Sequence, residues 1–259
     1  MIRSLPARAA ALVAGGLLSL TLAGSVLAAP AGVASPSAAS AAVAAAPCAA
    51  QRQAVRQDPS IANLKALGDC EIARRFVTLD RLQGAVIAAP FLTAPDRQAL
   101  RDRIASTRTG LGSLKSEIDG DTTVEQLKVD LPRIATDFRV YLLLAPQVNL
   151  VRGADAATAA AARLGQEAQR LQQLIDFAKS QGRDVAAAQA ALVAMQHDLA
   201  NADAQVSGLS VKLLALTPAD WNDGGARPVL DAARSAERSA HAELLSARRD
   251  AQAVLAALR

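Results

Sequence analysis

Two apolar runs, Leu150 to Ala178 and Val185 to Leu216, each advance by alternating steps of three and four residues. Between them lies Ser180-Gln181-Gly182-Arg183-Asp184, a turn sequence. Steps of this kind put one apolar stripe along one side of a helix, and two such stripes around a turn predict an antiparallel helical hairpin. The first seam is Leu150, Ala154, Ala157, Ala161, Leu164, Ala168, Leu171, Ile175 and Ala178. The second is Val185, Ala188, Leu192, Met195, Leu199, Ala202, Val206, Leu209, Leu213 and Leu216. Read as one helix, the second arm has about 33 residues and a length of roughly 50 Å. Gly182 is expected to cap the first arm and Asp184 to open the second. Leu174, Phe177 and Val193 widen the stripe, as in a bundle with neighbours on two sides.

Residues before and after carry matching patterns. Ile72, Phe76, Leu79, Leu82 and Val86 mark one helix, reaching from Asp69 to Ala89 after a short helix at Ile61–Leu67. Thr93-Ala94-Pro95-Asp96 reads as the cap of the next, with a seam from Leu100 to Ile118. Thr122 and Glu125 read as a capping box opening a third, seamed by Leu127, Leu131, Ile134, Phe138 and Tyr141 and interrupted by Pro132. Leu142-Leu143-Leu144 should be deeply buried or a partner surface, and Pro146 should mark a break or kink near Ala145. Thr217-Pro218-Ala219-Asp220 caps a short turn holding Trp221, and a last helix runs from about Arg227 to Leu258. The expected fold is all-α: an elongated antiparallel bundle of about six coiled-coil-like helices. Its N-terminal helices should occupy 48–149, and the hairpin with the last helix 150–259.

Residues 1–28 read as a secretory signal. Arg3 and Arg8 precede an apolar core, and Val26-Leu27-Ala28 is a cleavage-like triplet. The competing reading is an uncleaved anchor, which Gly15, Gly16, Ser19, Thr21, Gly24 and Ser25 in the apolar run disfavour. Residues 29–47, rich in Ala, Ser and Pro and free of charge, read as a disordered linker. Cys48 and Cys70 are the only cysteines, and in an exported chain they are expected to pair as a structural staple. Removing Arg3 and Arg8 leaves 26 basic residues against 24 acidic, a net charge of +2. No basic stripe with interleaved aromatics appears, so nucleic acid is not an expected partner.

The runs Thr136 to Tyr141, Leu214 to Asn222 and Asp69-Cys70-Glu71-Ile72 resemble those of secreted alanine-rich all-helical proteins of high-GC bacteria. The resemblance covers residues 48–259. It implies export and an all-α fold and carries no activity with it.

Chemistry-bearing motifs are sparse. Asp220, Asn222, Gly225 and Asp231 fall at positions 1, 3, 6 and 12 of a calcium-loop pattern, but Gly224 and an Asp at position 12 make the match loose. Asp220, Asn222 and Asp231 therefore stand as weak metal candidates beside a plain structural turn. Asp119, Asp121 and Glu125 form a second acidic corner. His197 and His241 are the only histidines and read as unrelated surface residues. No catalytic residue and no cofactor is assigned. The expected role is that of an exported, non-enzymatic helical protein acting structurally or by interaction. Its partner would be an envelope or extracellular protein, with membrane contact only through the uncleaved signal. The alternative is a ligand- or metal-binding bundle. The exposed Arg183 and Asp184 at the hairpin tip are the first expected partner contact.

N-terminal sequencing of protein recovered outside the cytoplasm is expected to begin at Ala29 or Pro30. Membrane-fraction protein still beginning at Met1 would identify the anchor instead.

Overall fold

The computed structural model describes residues 48–259. The expected signal and linker, 1–28 and 29–47, lie outside the described residues. The described residues form one compact, all-helical unit without strands. It contains seven helices of nine residues or more, two shorter ones and one π-helical turn. In order these are α1 (Ala49–Gln57), α2 (Ile61–Ile87), α3 (Ala94–Gly120), α4 (Val124–Thr136), the π turn (Val140–Leu144), α5 (Ala145–Ser180), α6 (Ala186–Val206), α7 (Leu209–Ala215), α8 (Pro218–Asn222) and α9 (Ala226–Ala257). Helices α1 to α4 pack on one another, α5, α6 and α9 pack as a second group, and one continuous hydrophobic core runs through both. Nine of the twelve largest fully buried side chains lie between Ile72 and Leu143. The second group is instead closed by alanines, among them Ala154, Ala168, Ala188, Ala202, Ala233, Ala240 and Ala247.

Several caps stand where the sequence puts them. The Thr93 hydroxyl accepts from the Asp96 N–H, and Thr217 and Asp220 form a reciprocal capping box. At Gly182 (φ +74°) the Arg183 N–H donates to the Ala178 carbonyl and the Gly182 N–H to the Lys179 carbonyl, a Schellman ending of α5. The expected N-cap at Asp184 is displaced by one: Val185 is the N-cap of α6 and has no side-chain cap bond, while the Asp184 carboxylate, one residue earlier, accepts from the Ala186 N–H.

Other expectations are corrected. Thr122–Glu125 is not the capping box; the pair is Thr123 and Gln126, one residue on. The short helix before Gly68 does not end there, and α2 runs through. A Cβ on Gly68 would lie 2.8 Å from Leu131 Cδ2, so glycine here lets α4 come close. Pro132 lies inside α4 without splitting it. The break comes at Asp137–Arg139, where Arg139 has φ +42°. From Val140 the chain is continuously helical into α5, so position 150 lies inside a helix. The irregularity near Ala145 is the π turn, in which the Ala145 N–H reaches the Val140 carbonyl. Pro146 has no N–H to complete an ordinary turn at this point. Leu143 and Leu144 are buried, while Leu142 faces outward.

The second hairpin arm is not one helix. It breaks at Ser207-Gly208, where Gly208 has φ +67°, so α6 is about 32 Å long. Leu174, Phe177 and Val193 are exposed and do not mark further neighbours. The tip charges are not free: Arg183 donates to the Leu258 carbonyl and the Asp184 carboxylate accepts from the Ala186 N–H. Helix α1, which precedes the first helix expected from sequence at Ile61, is held to α2 by the Cys48–Cys70 disulfide, with Cα atoms 5.7 Å apart.

Arg97 closes the α2 end. Its guanidinium donates to the Val86, Ile87, Ala89 and Leu92 carbonyls, matching backbone groups that the helix end leaves without partners.

Gly68→Val should lower stability by about 1–2 kcal/mol in denaturant titration, because the new side chain must displace Leu131. Gly84→Ala on the same helix meets no atom within 4 Å. It should raise stability by about 0.5–1 kcal/mol through helix propensity alone.

Candidate functional site

Helix α1 lies against α2 beside the disulfide, and this places three arginines on one glutamate. Glu71 is 16% exposed. Arg52 of α1 donates to its Oε1 through Nη2. Arg75, one helical turn on, donates through Nη1 to Glu71 Oε2 at 2.9 Å and to the Glu71 carbonyl at 2.8 Å. Arg74 makes a longer contact of 3.4 Å. The Cζ atoms of Arg74 and Arg75 lie 5.6 and 5.2 Å from the centre of the Tyr141 ring in the π turn. Such cation–π stacking fixes the guanidinium planes. Burial alone would push the Glu71 carboxyl up. Hydrogen bonds from Arg75 and Arg52, together with their charges, outweigh it and hold the group below its usual value.

The cluster opens onto a cleft of about 270 Å³ between α1, α2 and α4. Arg52, Glu71 and Arg75 form its polar side, and Leu67, Leu131, Ile134 and Ala135 its apolar side. Arg75 is 7% exposed, and its Nε is buried with no partner among the described residues. A stranded charged donor is costly, and a group of this kind needs a reason. Three guanidiniums against one carboxylate leave a local surplus of two positive charges.

Two other sites are polar. A cleft of about 290 Å³ lies where α3, the π turn, α5 and the Thr217 turn meet. There Arg103 donates to the Leu214 and Leu216 carbonyls, both at 2.7 Å. Buried Gln147 donates from Nε2 to the Leu213 and Leu216 carbonyls at 2.7 and 2.9 Å. These bonds answer the carbonyls at the end of α7, so the cleft reads first as a structural joint.

The third is a groove of about 300 Å³ along the alanine-rich middle of α5, between Ala156, Ala157 and Ala160 on one side and Glu237, His241 and Leu244 of α9 on the other. The Glu237 carboxyl lies over Gly153, where a Cβ would come within 2.3 Å of Oε1. That oxygen is buried without a partner among the described residues. Burial pushes the Glu237 carboxyl up to about 7.

The metal candidates are engaged elsewhere. The Asp220 carboxylate accepts from the Thr217 N–H and hydroxyl, bonds that hold it below its usual value. Asn222 accepts from Arg139 Nε and donates to the Thr136 carbonyl, so the Trp221 turn is tied to the end of α4. Asp231 pairs with Arg234. In the second acidic corner Asp119 pairs with Lys115, Asp121 ends α3 with its side chain buried, and Glu125 is exposed. His197 is exposed and bonds Asn201, while His241 lines the Glu237 groove. Among the described residues no group of three or more His, Cys, Asp or Glu is placed to hold a metal ion. The arginine cluster was missed from sequence: Glu71 and Arg75 show a one-turn spacing on α2, but nothing local brings Arg52 of α1 to them. No protein family, curated protein or solved structure matches the chain.

The Glu237 carboxyl carries a pH signature. Its folded value lies above its usual 4.5, so its contribution to stability is complete below that value and is lost as pH rises through about 7. Glu237→Gln should leave the melting temperature at pH 4 nearly unchanged, raise it at pH 8, and flatten the wild-type decline between them in a pH series of thermal melts.

Proposed function

We propose that this is an exported helical protein that works by interaction, without turnover, and that the interaction is anion binding at the Arg52–Glu71–Arg75 cleft. One observation carries the reading: three arginines converge on a single carboxylate, and the most buried of them keeps an unmatched donor beside an apolar cleft. Positive charge in excess of its local partners, held in a concave and partly apolar site, is the arrangement that favours an anionic ligand.

Export is supported by the signal-like first 28 residues and by the Cys48–Cys70 bond, which fits an oxidising compartment. Among the described residues no helix is long and apolar enough to cross a membrane. The mature chain is therefore proposed to act in the cell envelope or outside the cell. The anion would be a free small molecule or an acidic group on an envelope partner. The likeness to secreted alanine-rich helical proteins agrees with this placement and adds no ligand.

Thermal melts of the full chain with sodium phosphate, sulfate, acetate and hexanoate at constant ionic strength test the reading. At least one anion should raise the melting temperature at millimolar concentration. The rise should shrink in Arg52→Ala, a change at a side chain that is 45% exposed. A flat response to every anion removes the anion-binding reading.

A further inference from the structure

Building on the anion-binding reading, we infer that the cleft takes a small monocarboxylate with an apolar tail. The argument starts from how Arg75 is used. A guanidinium offers two hydrogen-bonding edges to a planar anion, and the edge formed by Nε and Nη2 matches the spacing of two carboxylate oxygens. Arg75 spends only Nη1 on Glu71, at the carbonyl and at Oε2. Its Nε and Nη2 make no hydrogen bond among the described residues, and Nε is buried. The side chain is not free to seek partners elsewhere, because Glu71 holds one end and the Tyr141 ring lies against its face at 5.2 Å. Nη2, unbonded and not buried, is the donor that a carboxylate entering from the cleft meets first; the second bond, to the buried Nε, forms only when the side chains over Nε give way.

The rest of the cleft selects within the anions. The surplus charge by itself would accept a monoanion or a dianion, so the selection comes from the apolar side of the cleft. Leu67, Leu131, Ile134 and Ala135 offer nothing to the remaining oxygens of a phosphate or sulfate, but they shelter a hydrocarbon tail. At about 270 Å³ the space is small for a ligand site, where roughly 300–1,000 Å³ is usual, so the tail is short. Arg52, 45% exposed at the mouth, adds the second positive charge at the entrance.

Isothermal titration of the full chain with acetate, butyrate, hexanoate, hexanamide and inorganic phosphate tests this. Hexanoate should bind more tightly than acetate, by roughly fourfold per added methylene until the cleft is full. Hexanamide, equal in shape and uncharged, should bind at least about tenfold more weakly. Arg75→Lys keeps the charge but deletes the two-donor edge, and should weaken hexanoate by about tenfold. Ala135→Trp, at an exposed wall position, fills the cleft without replacing an arginine and should abolish binding even if Arg75→Lys fails to fold. Hexanamide binding as tightly as hexanoate, or hexanoate binding unchanged by Ala135→Trp, overturns the inference. Phosphate binding with the carboxylates silent overturns it while leaving the anion-binding reading intact. Silence of every ligand removes both.

Discussion

A helix that ends inside a protein leaves carbonyl groups with no partner on their own axis, and this chain buries one such end at Leu213–Leu216. Each unmatched carbonyl would cost about 1–3 kcal/mol. Arg103 from α3 and Gln147 from α5 answer them with four hydrogen bonds. Those donors come from different parts of the chain, so satisfying one helix end joins the N-terminal helices to the hairpin. The break at Gly208 fits the same logic. Had α6 continued straight to Leu216, its end would not turn back to meet Arg103 and Gln147. The Asn222 bonds to Arg139 and to the Thr136 carbonyl fasten the next turn to the end of α4. The joint is thus polar bonding at helix ends, laid over a continuous apolar core.

The two helical groups close in different ways. Helices α2 and α3 interlock large side chains such as Ile72, Leu79, Leu100, Ile104 and Leu111. Helices α5, α6 and α9 meet largely through alanines, which bring axes close but bury little area per residue. Close approach is uneven along α5. Ala154 and Ala168 are buried, while Ala157, Ala161 and Leu164 between them are only partly covered. The Glu237 groove lies in that interval. A carboxyl in such a place loses water without gaining a donor, which is why its proton is held so tightly.

What could be read from sequence follows from the range of each interaction. Thr93, Thr217 and Gly182 act on backbone within three or four residues of themselves, and their roles were legible. The seam of α6 depends on periodicity alone, and its positions from Ala188 to Val206 are all buried. The one-residue slip of the capping box, from Thr122 to Thr123, arises because both threonines have an acceptor-bearing side chain three residues on, and only packing chooses between them. The π turn and the break at Arg139 were not legible, since Pro132 was the louder local signal. The arginine cluster was invisible for a further reason. Arg52 reaches Glu71 only because α1 folds back along α2, and charges interleaved on a helix face ordinarily mean solvent.

That fold-back has a physical consequence for function. Cys48 and Arg52 are one turn apart on α1, and they meet the neighbouring residues Cys70 and Glu71 on α2. A covalent bond and an ion pair therefore fix the same helix pair within one turn. The ion pair alone, with Arg52 nearly half exposed, would contribute little to holding α1 in place. The disulfide does that work, and the Arg52–Glu71 pair is left to set charge at the mouth of the cleft. Were stability the sole purpose, a single guanidinium would neutralise Glu71. Two more share the same carboxylate, and the buried Nε of Arg75 adds desolvation cost with no matching bond inside the described residues. Three cations on one carboxylate beside an apolar wall are more than the helix pair needs to hold together, and it is this excess that motivates the proposed anion site.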